Sequence, residues 1–190
     1  MVAYHIDRKG TLNDNMTINL ITEFTGCQYL IDNCLERYPD GLSSHGQQYL
    51  LSDKIIKSRE SSISTIHELI LENIRENYYP HMPSRFQSFF AFPKESFAYW
   101  SKMFGDNYKI FEVEFNNNIL LDANFYSNTI TSSHKLDGTP IADWDKSGLP
   151  SITKSMHLAH HYWNQKRCAT PLLEYLCKPP INIIREIKTL

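Results

Sequence analysis

The sequence has little of what would mark a secreted or membrane protein. Only four of its 190 residues are cysteines, none of them in a CxxC pair, and a chain of this length does not need disulfides to build a core. Its first residues lack the apolar run of a signal peptide, and no stretch reaches the roughly 18 apolar residues of a membrane span. We therefore expect reduced thiols, a cytoplasmic location and no membrane contact.

The short motifs of several large enzyme classes are also missing. There is no GxGxxG, no GxxxxGK[ST] and no GxSxG, so Rossmann enzymes, P-loop enzymes and serine hydrolases are unsupported. His157, His160 and His161 lie close together, but no HExxH or carboxylate frame accompanies them, and no metal site is predicted. The net charge of -2 argues against nucleic-acid binding through the overall field, although it leaves room for a local basic groove.

What the chain does contain is typical of one globular domain. Hydrophobic residues make up 42% and aromatic residues 13% of the sequence, which excludes disorder. The length suits a single core, so we expect one domain over residues 1–190. The pattern along the chain mixes strands and helices without repeats, which indicates an α+β fold.

The periodicity of apolar residues predicts five strands and four helices outside the central stretch. The expected strands are Val2–Asp7, Tyr108–Phe115, Ile119–Leu121, Leu172–Cys177 and Ile181–Ile187. The expected helices are Met16–Leu35, His45–Leu51 after a Ser43 or Ser44 cap, Ser61–Asn77 and Ile152–Trp163. Two helices have a predicted core face, formed by Cys27, Leu30, Ile31 and Cys34 in the first and by Ile63, Ile66, Leu69, Ile70 and Ile74 in the third. The range Asn116–Ser151 otherwise reads as a long loop.

The central stretch, Ser84–Trp100, combines an aromatic block with a turn at Pro93. It predicts a strand, a turn and a short helix. Phe89 and Trp100 are eleven positions apart, so a strand residue and a helix residue could face each other across a slot that suits a flat ring.

Glu174 interrupts an otherwise apolar strand. An ionised carboxylate is costly to bury unless it has partners or faces a cleft. Position alone leaves two interpretations open: an edge-strand acid that points to solvent, or a functional carboxylate.

These residues together resemble the ADP-ribosyltransferase superfamily, in the branch of diphtheria toxin and the poly(ADP-ribose) polymerases. His5 lies in an early YHI strand, Phe89 begins an FFA step similar to YFA, Trp100 ends an SFAYW helix, and Glu174 opens an EYL triplet similar to NEYI. The order of these elements matches that branch. The resemblance implies a split β core of two small sheets with flanking helices, and NAD as a substrate with no metal.

By this resemblance, Glu174 is the catalytic residue. It would bond the ribose 2'-hydroxyl and stabilise the oxocarbenium character that forms when the nicotinamide–ribose bond breaks. Phe89 and Trp100 would stack on nicotinamide, and Phe89 departs from the usual tyrosine, which removes a hydroxyl. Backbone groups of Ile6 would read the carboxamide.

The remaining cofactor contacts follow from the same resemblance. His5 would bond the adenosine ribose, and Arg8 and Arg85 are candidates for the pyrophosphate because guanidinium groups pair with phosphate oxygens. Ser88 could orient the catalytic carboxylate. Each has a plain alternative: a structural histidine, surface charges, and a serine that only bonds a neighbouring strand.

The acceptor is expected to meet the loop before the glutamate. Gln165, Lys166 and Arg167 suit the phosphates and bases of nucleic acid, and they suit an acidic protein surface too. Transferases that modify arginine have a glutamate two positions before the catalytic one, and this chain has Leu172 there. We therefore expect a nucleobase of RNA or DNA in preference to a protein side chain.

An enzyme that consumes NAD or marks nucleic acid endangers its own cell. The sequence thus leads to the hypothesis of a bacterial toxin or phage-defence effector neutralised by an antitoxin protein. Two rivals stay open: an NAD glycohydrolase, and a catalytically inactive member of the fold that binds a nucleotide or a protein.

Overall fold

The computed structural model describes residues 1–52, 59–104, 107–126 and 152–187. Within these ranges the chain forms seven β-strands in two small antiparallel sheets, together with five α-helices. The predicted combination of two small β-sheets with α-helices is confirmed. The chain divides into two compact units. The first unit comprises Met1–Leu51, Arg85–Leu120 and Leu173–Leu190, and the second comprises Ser52–Ser84 and Leu121–Leu172.

Strands and helices alternate irregularly along the chain. The strands are β1 Val2–Asp7, β2 Thr17–Ile18, β3 Phe89–Ala91, β4 Lys109–Glu114, β5 Asn118–Asp122, β6 Leu173–Cys177 and β7 Ile181–Ile187. The α-helices are α1 Gln28–Arg37, α2 Ser44–Leu50, α3 Arg59–Tyr78, α4 Phe97–Phe104 and α5 Ile152–Trp163. Short 3-10 helices cover Arg85–Gln87, Lys94–Ser96 and Ala123–Phe125. All five predicted strands and three of the four predicted helices are present within about two residues of their expected bounds. The strand, turn and helix of the central stretch are also present, but the helix continues to Phe104 and does not end at Trp100.

The four-stranded sheet has the order β1-β4-β7-β2. Its central strands alternate as the sequence predicts, with Val113 fully buried and Glu114 exposed on the other face of β4. Phe111, Val113 and Ile183 form the core of this sheet with Ala91 of β3. The apolar faces of both sheets thus share one core in the first unit.

The three-stranded sheet has the order β3-β6-β5, which makes β6 its central strand. Strand β3 runs antiparallel to β6 and pairs Phe90 with Leu176. On its other side, among the residues that the structure describes, β3 meets β1 through a single bridge between Tyr4 and Phe92. This bridge is where the two sheets come together.

The second unit packs α3 against α5. Leu71, Ile74, Leu158 and Tyr162 are almost completely buried there. The indole N–H of Trp163 donates to the carbonyl oxygen of Leu71 at 2.9 Å, so the largest buried side chain of this unit also has its polar atom satisfied.

The prediction of a helix over Met16–Leu35 is wrong for its first half. Thr17–Ile18 instead pairs with β7, and Gly26 has a φ of +142° that no helix residue adopts. In the helix that does form, Ile31 and Cys34 are buried, whereas Leu30 is 53% exposed. The predicted core face of α1 is therefore only half right.

The predicted core face of α3 is also wrong in part. Ile66 and Leu69 are 48% and 61% exposed, while Leu71 and Ile74 are buried. The buried side of this helix also contains the polar residues His67, Glu68 and Glu72, and a search for apolar periodicity cannot find a face that carries charges. The side chain of Ile63 lies outside the described ones.

The predicted long loop over Asn116–Ser151 contains regular structure at its start. Strand β5 and the 3-10 helix Ala123–Phe125 occupy part of it. Residues 127–151 of this range lie outside the described residues.

Candidate functional site

The candidate site begins where β1 and β3 part. Tyr4 N–H donates to Phe92 O at 3.0 Å, and Phe92 N–H donates to Tyr4 O at 2.8 Å. If the antiparallel ladder continued, Ile6 and Phe90 would form the next hydrogen-bonded pair. Instead, the carbonyl oxygen of Phe90 lies 2.7 Å from Nδ1 of His5. A side chain thus occupies the position of a ladder bond. Because hydrogen-bonding groups alternate along an antiparallel strand, the N–H and C=O of Ile6 are expected on the same side of β1 as those of Tyr4.

The surroundings of His5 favour its neutral form. Burial lowers the pKa of His5 below its usual value, against the opposing effects of the Phe90 carbonyl and of Asp7. A carbonyl oxygen only accepts, so Nδ1 carries the proton and Nε2 of the neutral ring is an acceptor. The ring also lies against Phe89, with centroids 4.4 Å apart and planes tilted by 35°. The structure therefore brings His5 and Phe89 together.

The two neighbouring phenylalanines of β3 face opposite sides of the three-stranded sheet. Phe89 is opposite Cys177 and Phe90 is opposite Leu176. Because side chains alternate along a strand, Glu174, two positions before Leu176, lies on the same face as Phe90. The sequence singles out Phe89, but its neighbour shares the face of the predicted catalytic residue.

Glu174 is buried and paired. Its Oε1 accepts from Nη1 of Arg85 at 3.0 Å, and the two side chains are 4% and 2% exposed. The guanidinium carbon also lies 4.7 Å from the ring centroid of Phe90. Since β6 is a central strand, the interpretation of Glu174 as an edge acid that points to solvent is wrong. Arg85 supplies the charge partner that a buried carboxylate requires.

Arg85 is positioned by a close approach between its 3-10 helix and α2. Ser43, the N-cap of α2, donates to the carbonyl oxygen of Phe86 from both its backbone N–H, at 2.8 Å, and its hydroxyl, at 3.0 Å. A β-carbon added at Gly46 would collide with that same carbonyl oxygen. The glycine thus permits the contact that fixes the residue next to Arg85.

Trp100 is attached to the strand of Glu174. Its indole N–H donates to the carbonyl oxygen of Leu173 at 3.2 Å, and the N–H of Leu173 donates to the hydroxyl of Ser96 at 3.2 Å. Trp100 is 8% exposed. Two residues of the central stretch therefore hold the backbone immediately before Glu174.

The predicted acceptor residues lie in the second unit, directly after α5. Gln165, Lys166 and Arg167 are all exposed. Gln165 has a left-handed φ of +56°. Its N–H donates to Tyr162 O at 2.9 Å, and Lys166 N–H donates to His161 O at 3.1 Å. These two bonds form a Schellman motif that ends the helix, so the backbone of this segment has a defined course.

The other predicted cofactor residues have contrasting environments. Arg8 is exposed at the end of β1, whereas Ser88 is 1% exposed next to β3. The carboxylate of Asp7 accepts from the N–H groups of Lys9, Gly10 and Leu12. The hydrogen bonds of Asp7 therefore stabilise the turn that contains Arg8.

One comparison with known proteins covers nearly the whole chain. A family model with the description "Protein of unknown function (DUF2441)" matches residues 3–189. The chain belongs to this family. A search of curated proteins returns no match. The matched range contains every residue of the candidate site, so the site is part of the DUF2441 domain itself.

The sequence also makes predictions about the cysteines, possible metal ligands and apolar helices of this DUF2441 domain. All four cysteines are free thiols. In the ranges that the structure describes, no group of three or more histidine, cysteine or acidic side chains is arranged to hold a metal ion. Among the same residues, no helix combines the length and apolar character needed to cross a membrane.

Sequence reasoning missed several residues of the site. Phe90 belongs to the same aromatic block as Phe89 but has no distinguishing signal in the sequence, because its contacts with Arg85 and His5 depend on residues that are distant along the chain. Ser96 gave no signal at all. Asp122 was also overlooked, although an acid at the end of the apolar strand β5 resembles the position of Glu174 closely enough to have been noticed.

Proposed function

We propose that this protein is an NAD-dependent ADP-ribosyltransferase with the split β core of the diphtheria-toxin and poly(ADP-ribose) polymerase branch. The observation that carries the proposal is the β1–β3 junction, where the ladder stops after Tyr4 and Phe92 and His5 bonds to Phe90. A junction of this kind leaves strand backbone groups directed at a ligand instead of at a neighbouring strand. The family match gives no function, so the proposal depends on this geometry and on the resemblance of the sequence.

The groups at the junction suit the two ends of NAD. The N–H and C=O of Ile6 offer the donor and acceptor that a carboxamide needs. The neutral ring of His5 offers Nε2 to a ribose hydroxyl. Phe89 and Trp100 are the stacking residues for nicotinamide that the resemblance implies, since aromatic faces pair with flat rings, but strand alternation places Phe90, and not Phe89, on the face of Glu174.

Glu174 is the proposed catalytic residue, and its ion pair supports that assignment. Breakage of the bond between C1' of the ribose and N1 of nicotinamide leaves the electron pair on N1, and nicotinamide departs as a neutral molecule. The sugar acquires positive charge, which an ionised carboxylate stabilises. The guanidinium of Arg85 lies 3.0 Å from Oε1 of Glu174 and provides a positive charge beside this buried carboxyl group. A carboxylate accepts several hydrogen bonds, so the pair is compatible with a further bond to the ribose 2'-hydroxyl.

This assignment changes the proposed role of Arg85. The sequence predicts Arg85 as a pyrophosphate ligand, but a guanidinium that is 2% exposed and bonded to Glu174 is better suited to hold the catalytic carboxylate. Arg8, which is exposed, is the remaining candidate for the pyrophosphate. Ser88 is buried beside β3, where it could orient Glu174.

For the acceptor, we propose a nucleobase of RNA or DNA in preference to a protein side chain. An acceptor nitrogen or oxygen attacks C1', and its proton is released to solvent. The support is the exposed segment Gln165–Arg167, with its amide and its two cations, and Leu172 in place of the glutamate of arginine-modifying transferases. We further propose a cytoplasmic role as a bacterial toxin or phage-defence effector that an antitoxin protein neutralises.

The test is incubation of the purified protein with NAD labelled in the ADP-ribose part and with separate pools of RNA, DNA and cell protein. Label on RNA or DNA, lost in the Glu174→Gln variant, is the expected result. Label on protein alone would make the enzyme a protein-modifying transferase, and free ADP-ribose alone would make it a glycohydrolase. No turnover with any pool would favour an inactive binding domain, the reading that the replacement of tyrosine by Phe89 supports. In cells, Glu174→Ala should abolish growth arrest.

A further inference from the structure

The second unit contains a buried carboxylate that accepts from three backbone N–H groups and also interacts with the Cys168 thiol. Asp122, the last residue of β5, is 0% exposed. It accepts from the N–H groups of Asn124 at 3.1 Å, Cys168 at 2.9 Å and Leu172 at 3.0 Å. Charge-assisted bonds to backbone N–H groups are about twice as strong as neutral ones. A single side chain thus fastens two points of the segment that leads into β6.

Asn124 and Ala123, which follow Asp122 in the sequence, hydrogen-bond to the same segment. The side-chain amide of Asn124 donates to Thr170 O at 2.9 Å and to Cys168 Sγ at 3.1 Å. Ala123 N–H donates to Leu172 O at 2.8 Å. The short segment Asp122–Asn124 therefore holds positions 168, 170 and 172 at once.

The exposed cations lie between two fixed points. On one side, the Schellman motif bonds the N–H groups of Gln165 and Lys166 to α5. On the other, Asp122 bonds the N–H of Cys168. Only Arg167 separates these points, so the structure holds the Gln165–Arg167 segment in one place.

In the proposed function, an acceptor bound by this segment competes with water for C1' of the sugar. Both transfer and hydrolysis break the C1'–N1 bond, release nicotinamide and end with the loss of one proton, from the acceptor or from water. Transfer exceeds hydrolysis only if the acceptor is held in attacking geometry, because water is present at high concentration. Glu174 stabilises the charged sugar in both routes, whereas the acceptor segment acts in one.

We propose that Asp122 is a positioning residue for the acceptor, and that its loss diverts the enzyme from ADP-ribosyl transfer to NAD hydrolysis. This inference rests on the proposed function. It assigns Asp122 no contact with NAD, so the variant should still release nicotinamide.

The experiment compares wild type with Asp122→Asn, which keeps the size of the side chain but places an N–H donor against backbone N–H groups. Two quantities are measured: the ratio of labelled acceptor to free ADP-ribose, and the rate of nicotinamide release. The ratio should fall about 10-fold to 100-fold, the cost of a small misplacement, while nicotinamide release stays within about 3-fold. Asn124→Ala, which removes only the bonds to Cys168 and Thr170, should lower the ratio less and carries the test if Asp122→Asn does not fold.

A second readout follows the segment without using activity. Trypsin cleavage after Lys166 and Arg167, measured by mass spectrometry relative to cleavage after Lys9, should be faster in Asp122→Asn. If the relative cleavage rate is the same in Asp122→Asn and wild type, Asp122 does not hold the Gln165–Arg167 segment in place. An unchanged ratio of transfer to hydrolysis, or equal loss of transfer and nicotinamide release, overturns the positioning role. If wild type releases no nicotinamide at all, the proposed function fails and the inference fails with it.

Discussion

Two acids occupy similar positions in the sequence but have different partners in the fold. Glu174 and Asp122 each follow two leucines in the sequence and lie in strands of the three-stranded sheet, and they are 3% and 0% exposed. Glu174 is bonded to the guanidinium of Arg85. Asp122 is bonded to three backbone N–H groups. Burial alone would rank them as equal candidates for catalysis.

The difference lies in what each partner makes possible. Backbone N–H groups are fixed by the fold, so Asp122 serves to hold a segment of chain in place. The guanidinium of Arg85 is a side-chain group that offers a positive charge and several N–H donors. Its bond to Glu174 does not fix the path of the backbone. We infer that a buried acid with a charged side-chain partner is the better candidate for chemistry, and one with backbone partners the better candidate for structure.

Removal of Arg85 should have the largest effect on stability. Arg85→Met removes the guanidinium from the buried Glu174 carboxylate, and the loss of one member of such a pair costs about 3–5 kcal/mol of unfolding free energy. Urea denaturation followed by circular dichroism measures this loss.

The double variant Arg85→Met with Glu174→Leu makes that prediction specific. Replacement of both charges by apolar groups should restore most of the stability while abolishing turnover. The matched control is Glu112→Gln, since Glu112 pairs at 2.7 Å with Arg185, which is 66% exposed. It should leave the free energy of unfolding nearly unchanged. If Arg85→Met and Glu112→Gln lowered the free energy of unfolding equally, the distinction between the buried Arg85–Glu174 pair and the exposed Arg185–Glu112 pair would be contradicted.

Asp7 provides an intermediate effect and a test by pH. It resembles Asp122, because its carboxylate also bonds backbone N–H groups. Burial alone would raise the pKa of Asp7, but the N–H groups of Leu12, Lys9, Thr11 and Gly10 lower it overall. Asp7→Asn should therefore cost about 1–3 kcal/mol at pH 7.

The sign of the pH dependence follows from the lowered pKa. The contribution of Asp7 is fully present above the pKa of the unfolded chain, about 3.9, and is lost as the pH falls through the lower folded value. The difference in unfolding free energy between wild type and Asp7→Asn should thus shrink below about pH 4. A difference that stays constant from pH 7 to pH 3 would contradict this account.

The smallest expected effect is a gain in stability at Gln165. Its left-handed φ of +56° is strained for any residue with a β-carbon, so Gln165→Gly should stabilise the protein by about 1 kcal/mol. The variant also removes the amide from the acceptor segment without disturbing the helix end. Thermal denaturation measures the first effect, and a destabilised protein would argue against the Schellman motif.

Much of the fold was predictable because its signals are local. Strand β1, strand β7 and helix α5 each have an apolar pattern that is complete within the element itself. The Ser43 cap of α2 was predictable for the same reason, since a capping serine bonds an N–H three positions later. Glu174 was noticeable because a charge stands out in an apolar strand.

What the sequence could not provide depends on contacts between distant residues. The pairing of Arg85 with Glu174 joins positions 89 apart, and the bond from His5 to Phe90 joins positions 85 apart. Strand β2 has only two residues, which is too short for a recognisable strand pattern. Its pairing with β7 overrides a local apolar pattern that favours a helix. The buried face of α3 was missed because charged residues share it.

The central claim is that Glu174 drives cleavage of the nicotinamide–ribose bond of NAD. The most direct measurement is the rate of nicotinamide release by wild type, Glu174→Gln and the control Glu112→Gln, with folding of each verified by circular dichroism. We predict that Glu174→Gln lowers the rate by about 100-fold or more, and that Glu112→Gln retains the wild-type rate. A folded Glu174→Gln variant that releases nicotinamide as fast as wild type would contradict the account.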